Sequence, residues 1–385
     1  MKAYTRRDLL RAALVSGVAA CAPKLWGAAE RKPPVRLGHL LPAASADPLA
    51  ESARQGAALA AEEVRRTFAP LGVPFDLLSR EIKTPEQAAQ ETEQLVRSHG
   101  ALAVISALEG ESEVAAATAL RRSGRIMLST RTPHLAVPPP PGVKLFRIGS
   151  SMGRYLDSLA NWLVNEKDLR RWHFFATPDA ASSNLVQLAS SVLEKWRGRT
   201  AGISLLAELS EESIADVLEM AGQRRAEVLF LGLKGEVLRR FLQLVPKDLP
   251  MLITGAFAHG ALPGAPANSI WPVDWHHSLE RFGAGQLNQR FTTRFKRPMD
   301  SAAWTNWVAV KLLAGAGLHP KSDDPEQMAA AVEEIKFDGH KRAPLAFGAH
   351  GQLQHPFYLV SPAEKRRGEW EVVAEISPDQ RSADR

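Results

Sequence analysis

Cysteine is almost absent: Cys21 is the single one in 385 residues, and it lies near the start of the chain. The rest of the chain therefore forms no disulfide within itself and offers no cysteine-ligated zinc or iron–sulfur site. No apolar run reaches the length that a membrane-spanning helix needs. There is no P-loop and no G-x-G-x-x-G, so the usual phosphate- and dinucleotide-binding signatures are missing. A surplus of one charge is missing too. The formal charge is +6, and Lys2, Arg6, Arg7, Arg11 and Lys24 against Asp8 account for +4 of it within residues 1–29. The rest is close to neutral, so the basic pI of 9.5 is no argument for nucleic-acid binding.

What is present begins with an address. Thr5-Arg6-Arg7-Asp8-Leu9-Leu10 precedes the apolar run Ala12–Ala20, a basic segment followed by a short hydrophobic one. Residues 1–29 read as an export signal, twin-arginine-like or of the general secretory kind. Val18-Ala19-Ala20-Cys21 has the form of a lipobox that would anchor the protein through Cys21; Gly27-Ala28-Ala29 offers a cleavage site before Glu30. Either exit predicts a periplasmic, exported protein.

The body alternates strand and helix. Pro34–Leu41 reads as a strand, Pro42–Pro48 as a loop of small residues and Leu49–Phe68 as an Ala-rich helix. A second strand follows over Val73–Ser79, then a helix opened by Thr84-Pro85. Ala101–Val137 is the most informative stretch. An uncharged strand, Ala101–Ser106, leads into a polar turn, Leu108–Ser112, and a helix, Glu113–Ser123, that Gly124 ends. The strand Arg125–Leu128 leaves through Ser129-Thr130-Arg131-Thr132-Pro133. Two polar loops thus leave neighbouring strands at their carboxyl ends, where open α/β sheets bind ligands. Four prolines, 138–141, and the strand Lys144–Ile148 precede a second alternating series that runs to Thr254. Two such series predict an α/β fold of two doubly wound lobes. Ala258–Ser269 is irregular, helices follow over Leu279–Lys296, Ser301–Ala316 and Asp324–Ile335, three short strands lie between Leu345 and Val360, and residues 373–385 form a polar tail.

Candidate chemistry sits in the loops. Arg131, among three hydroxyls, is suited to pair with a carboxylate of a ligand, or else is an inter-lobe or solvated arginine; Lys234 leaves a strand in the equivalent place of the second series. Glu109 and Glu111 are a paired-carboxylate candidate for general acid–base work, ligand contacts or solvated carboxylates. His276-His277 is a metal pair or a polar loop facing the cleft; adjacent histidines rarely point at one ion. Trp271 and Trp275 are candidates for an aromatic wall, whereas Trp304 and Trp307 fit a core. The Asp179–Ser183 run holds serines near a strand end without a nucleophile elbow around them. No metal and no cofactor is expected.

The order of these features resembles a family. A-x-x-V-I-S from Ala101, G-x-x-x-L-S-T-x-T-P-x-L from Gly124 to Leu135 and F-R-I-G-S from Phe146 to Ser150 are similar to the type I periplasmic solute-binding proteins of the Leu/Ile/Val class, which serve ABC transporters. The resemblance implies two lobes joined by a three-crossing hinge: residues 30–148 plus 274–338, and 149–273 plus 339–372. It implies a non-enzymatic protein with a small-molecule solute and a membrane permease as partners. Ligand contacts would come from Glu109 and Ser112, from Ser129, Thr130, Arg131 and Thr132, and from Ser150, Lys234 and Trp275. The family's D-x-x-Y-G stretch is here Asp179-Ala180-Ala181-Ser182-Ser183, an aromatic position is Lys234, and no acid for an α-ammonium is evident near Gly255. A ligand without an ammonium group, a carboxylate or an alcohol-derived molecule, fits better. The segment from Trp275 to Val360, including W-H-x-S-L-E-R-F-G-A, R-P-M and G-Q-L-x-H-P, resembles the branch associated with PQQ-dependent alcohol oxidation systems, which makes a periplasmic PQQ-dependent dehydrogenase system a further partner, without implying that this chain binds PQQ. The rivals are an accessory or sensory module for an oxidoreductase, and a hydrolase using Ser129 or Ser182.

Overall fold

A computed structural model describes residues 33–45, 47, 49–132, 140–233, 235–255, 262, 264–363 and 369–377. The export signal, Cys21 and Lys234 lie outside the described residues. The first series forms β1 (Val35–Pro42), α1 (Ala50–Phe68), β2 (Phe75–Ile82), α2 (Pro85–Arg97), β3 (Ala103–Ser106), α3 (Gly110–Leu120), β4 (Ile126–Ser129) and β5 (Leu145–Arg147). The strands make one parallel sheet in the order β2-β1-β3-β4-β5. All residues of β3 and β4 are buried, as uncharged central strands covered on both faces must be.

The chain then crosses into the second lobe: α4 (Met152–Asn161), β6 (Arg171–Ala176), α5 (Ala180–Lys195), β7 (Arg199–Leu205), α6 (Glu211–Gln223), β8 (Val228–Gly232), α7 (Gly235–Leu244), β9 (Leu252–Gly255) and β10 (Ser269–Val273). It returns to the first lobe as α8 (Ala284–Phe295), α9 (Ser301–Gly317), α10 (Pro325–Glu334) and the small ribbon β11 (Ala346–Phe347) and β12 (Leu353–Gln354). It crosses a third time to β13 (Phe357–Pro362) and β14 (Trp370–Ile376). The second sheet runs β14-β13-β10-β9-β8-β6-β7, parallel except for β13 and β14. Each sheet has a core on both faces.

Helix starts follow their caps. Thr84, Ser151, Asp179, Asp300 and Asp324 each accept a backbone N–H of the first turn through the side chain, satisfying donors that the helix itself leaves open. α9 is apolar nearly all round and buried along almost its whole length, which marks an internal helix. It lies against α1 so closely that a Cβ added at Gly56 would stand 1.9 Å from the carbonyl oxygen of Ala303. Gly56→Ala is therefore expected to cost about 1–3 kcal/mol, the range for overpacking a fitted interior. An unchanged thermal midpoint would show that α1 and α9 have room to part.

Several boundaries differ from the sequence reading. α3 begins at Gly110, so the polar turn is shorter than Leu108–Ser112 and Ser112 lies in the first helical turn. The same helix ends at Leu120, and Gly124 (φ 65°) closes the following turn by donating to Leu120 O at 3.1 Å. The ribbon residues Leu345 and Leu353 are buried in the first lobe's core, and Trp304 Nε1 donates to Gly339 O at 3.1 Å. Residues 339–354 thus pack with the first lobe, and the third crossing falls at His355–Pro356 instead of after residue 338. The polar tail begins as strand β14, whose alternating partly buried and exposed residues pair antiparallel with β13, the pattern of a half-buried edge strand.

Candidate functional site

β1, β3 and β4 are neighbours in the first sheet, so the loops leaving their carboxyl ends converge. Arg131, in the β4 loop, reaches the other two. Its Nε donates to Glu109 Oε1 at 2.7 Å, and its Nη2 lies 2.6 Å from Glu109 Oε1 and 3.0 Å from Asp47 Oδ2. Asp47 also accepts from Leu49 N at 2.8 Å, fixing the β1 loop to the start of α1. Arg131 is itself buried. The arginine that the sequence offers to a ligand's carboxylate is thus already held between two carboxylates of its own lobe, and the inter-lobe alternative is excluded for these two partners. The guanidinium ties three loops into one rim, and Glu109, about one-third exposed at the side chain, is its most accessible member.

The hydroxyl residues around Arg131 are buried. Thr130 Oγ1 donates to Ser106 O at 3.1 Å and its N–H donates to the same oxygen, tying the ends of β3 and β4. Ser129 is fully buried beside Glu113. Burial pushes the Glu113 carboxyl up from its ordinary value, against the charge of Arg147, whose Nη1 is 3.6 Å away. Thr132 is buried, and a Cβ at Gly149 of the first crossing would stand 3.0 Å from its Oγ1.

Two expected contacts lie elsewhere. Ser150 sits in the first crossing, fully buried, its Oγ donating to Asp274 Oδ1 at 3.0 Å. Trp275 belongs to the core of the first lobe, 1% exposed, stacked on Trp304 at 5.7 Å and donating to Asn288 Oδ1 at 2.8 Å. It is not an aromatic wall, and neither is Trp271, 0% exposed. Both tryptophans flank a crossing, where apolar side chains fill the lobes. His276 is buried too and bonds Ser278 at 2.8 Å. Among the described residues no group of three histidine, cysteine or acidic side chains is placed to hold a metal.

Ser182 belongs to a helix start. Ser182 Oγ donates to Asp179 Oδ2 at 2.7 Å, and Asp179 caps α5. Gly149-Ser150-Ser151-Met152-Gly153 does spell G-x-S-x-G between a strand and a helix. Ser151, however, has a relaxed backbone (φ −68°, ψ 150°) and its side chain accepts from Arg154 N as the cap of α4. A nucleophile elbow holds its serine strained and exposed; this serine is a helix cap.

The crossings contain residues that the sequence analysis did not single out. Asp274 is fully buried, and Lys341 Nζ donates to Asp274 O at 2.6 Å and to Pro356 O at 2.5 Å. Burial pushes the Lys341 ammonium down to about 7, against the attraction of Asp274. Its Nζ stands 4.1 Å from the Trp304 ring centre and 4.9 Å from that of Tyr358. Nothing in the spacing of D-G-H-K-R marks Lys341 as a partner of a residue 67 positions earlier.

A family model described as periplasmic binding protein matches residues 34–367. No curated protein matches the chain. Among solved structures, the branched-chain amino acid ABC transporter periplasmic ligand-binding protein of Burkholderia xenovorans is 16% identical, with a TM-score of 0.77 over 89% of this chain and 96% of that one. An ABC transporter solute-binding protein of R. palustris in complex with benzoate is 16% identical, with a TM-score of 0.69 over 90% and 97%. A branched-chain amino acid transporter substrate-binding protein of Streptococcus pneumoniae in complex with isoleucine is 15% identical, with a TM-score of 0.72 over 88% and 99%. At these identities the likeness is one of fold. Among the described residues no helix is long and apolar enough to cross a membrane.

Proposed function

Because the chain belongs to the periplasmic binding protein family, we propose that it is an exported substrate-binding protein of an ABC transporter, closing two lobes over a small polar solute and presenting it to a membrane permease. The observation that carries this is architectural: two α/β lobes, three crossings, and the converging strand-end loops of the first lobe, in a fold shared with solute-bound proteins over 88–90% of the chain. Loops on a rigid scaffold with a hinge behind them suit capture by domain closure.

The state of Arg131 refines the solute. Relatives are described in complex with benzoate and with isoleucine, each carrying a carboxylate. Here Asp47 and Glu109 already compensate the arginine, so an anion would have to displace one of them. An uncharged, hydroxyl-bearing solute meets no such cost, in keeping with cargo from alcohol oxidation and with a periplasmic PQQ-dependent dehydrogenase system as supplier or consumer of it. Lipid anchoring through Cys21 is the companion proposal; intact mass of the exported protein reads it directly.

A thermal-shift screen of alcohols, polyols, organic acids and amino acids tests the reading. A solute at a hundred times its Kd should stabilise the protein by about 2.7 kcal/mol. We expect neutral hydroxylated solutes to shift the midpoint and simple carboxylates to do so less. Turnover of a solute, with no shift from any, would overturn the transport reading. The accessory-module alternative would gain from an exposed apolar patch at Trp271–Trp275, and both rings are buried.

A further inference from the structure

Each main sheet ends in two edge strands, and three of these four edges are blunted. An open edge offers unpaired N–H and C=O groups to any other strand, and charge or cover is the usual protection. β2 carries Asp76, Arg80 and Glu81. β5 is only three residues long, and its Arg147 is bridged by Gln352. β14 carries Glu371 and Glu375. β7, the outer strand of the second sheet, is different. Among the described residues no strand pairs with its outer side. After Arg199 it carries no charge, and the uncharged run continues to Ala207. Ile203 and Leu205 on it are 51% and 48% exposed.

The pairing with β6 fixes which backbone groups of β7 face outward. Leu206 N donates to Ala176 O of β6, so Leu206 faces inward, and by the strand period Ser204 and Gly202 do too. Ile203 and Leu205 therefore turn their N–H and C=O groups to the open side. Ala201 O, at the irregularity of this strand, is already taken: Arg224 Nη1 donates to it at 3.3 Å. The side chains of Ile203 and Leu205 point to the α5 side of the sheet. There they wall a cavity of about 320 Å³ together with Val186, Gln187 and Ser190 of α5. The charges lie at the two ends of the run. Arg197 and Arg199 precede it, and Glu208, Glu211 and Glu212 follow it. Such a strand is complementary to its own reverse: laid antiparallel, the basic end of each copy meets the acidic end of the other.

We propose that β7 is the interface of a homodimer, in which two copies of this chain pair their β7 edges antiparallel about a two-fold axis between their Ser204 residues. The second sheets of the two copies then form one continuous sheet. In this register Ile203 of each copy exchanges N–H···O bonds with Leu205 of the other, the groups that the single chain leaves open. A register centred on Ile203 would instead set Leu205 against Ala201, whose carbonyl Arg224 occupies. Ile203 and Leu205 of the second copy cover the cavity beside α5, and its Glu208 comes to Thr200, one residue from Arg199. The contact is isologous and closed, so it stops at two copies. β7 stands at the opposite side of its sheet from β10 and β13, which run into the crossings, so the dimer leaves both hinges free. The contact surface is small, which places it among the weaker, concentration-dependent associations. The proposal is independent of what the cleft binds.

The test is sedimentation velocity of the full chain over a series of concentrations, in a Cys21→Ser background that removes the single native thiol. The parent should pass from the mass of one chain to that of two as the concentration rises. Ile203→Lys and Leu205→Lys should each weaken the association by at least about tenfold, because each brings an unpaired charge into the apolar centre of the contact. Both positions are exposed, so the thermal midpoint should stay near that of the parent, which confirms that the variants are folded. Ser204→Cys faces its own copy at the close spacing of a non-hydrogen-bonded pair and should cross-link on mild oxidation, whereas Thr200→Cys, distant from the axis, should not. A parent that remains a single chain at every concentration overturns the proposal. So does a dimer that both lysine variants leave intact, or one that Thr200→Cys cross-links and Ser204→Cys does not. Ser204 Oγ lies 2.8 Å from His173 Nε2; were Ser204→Cys not to fold, the lysine variants decide alone. No solute enters the measurement, so its outcome and that of the solute screen are read separately.

Discussion

Acidification from pH 6.5 to pH 4 should strip the protein of much of its stability. His39 and His276 are pushed down to about 4, both chiefly by burial, with the neighbouring charges of Arg54 and His277 respectively adding to the effect. His355 is pushed down as well, by burial and then by Lys341, against the pull of Asp274. A histidine whose folded value lies below its unfolded one binds protons more readily in the unfolded chain. Its contribution is therefore complete above the unfolded value near 6.5 and is lost as the pH falls through the folded value. For His39 alone the window from 6.5 to about 4 corresponds to about 3 kcal/mol, a large part of the usual margin of 5–15 kcal/mol. His39 is fully buried between Ser79 and Asn306, at 3.3 and 3.1 Å; the bond to Asn306 favours the charged ring, but burial outweighs it and neither partner carries a negative charge.

Two carboxyls act the other way. Burial raises Glu113 and Asp300, so protonation favours their folded forms and offsets part of the loss. Denaturant midpoints between pH 4 and 7 measure the balance. His39→Gln retains a donor and an acceptor and should flatten the curve. A wild-type curve already flat across this range would show that the buried imidazoles accept protons in place.

Arg131→Ala should weaken both fold and binding. It leaves Asp47 and Glu109 facing each other across three loop ends. Breaking a buried pair by removing one partner costs about 3–5 kcal/mol; with Glu109 31% exposed, about 2–4 kcal/mol is the expected loss here. The rim loses its cross-tie at the same time, so the affinity for any solute found by thermal shift should fall by at least about tenfold, the equivalent of 1.4 kcal/mol. Chemical unfolding and calorimetric titration of one preparation read both quantities. Asp47→Asn in the Arg131→Ala background should recover part of the stability, since it removes one uncompensated charge. Binding lost with stability unchanged would mean that Arg131 touches the solute directly. Both unchanged would place the site on the second lobe.

Local pattern determined much of this protein. The apolar runs that became β3 and β4, the Thr84-Pro85 and Asp324-Pro325 helix starts and the alternation that winds two sheets are properties of short segments, and short segments are what sequence spacing reports. The same holds for the approximate place of the rim: loops at the carboxyl ends of neighbouring parallel strands follow from the βαβ order alone. The strand β14 was missed: the alternation of Trp370, Val372, Ala374 and Ile376 with Glu371, Val373 and Glu375 carries charges that gave it the look of a tail.

What only the tertiary structure decided is who faces whom. Arg131 looks the same in sequence whether it awaits an anion or is held by Asp47, 84 residues earlier, and Glu109. Trp275 reads as an exposed aromatic until Trp304 and Asn288 close over it. Ser150 reads as a solute contact until Asp274, 124 residues on, takes its hydroxyl. Asp274, Lys341 and His355 meet at the crossings from distant parts of the chain, and none has a spacing that foretells another. Hydrogen bonds and ion pairs act over a few ångströms, whereas helix and strand periods carry information over only a few residues. The elements are therefore written locally, and the chemistry between them exists only once the two lobes bring their crossings together.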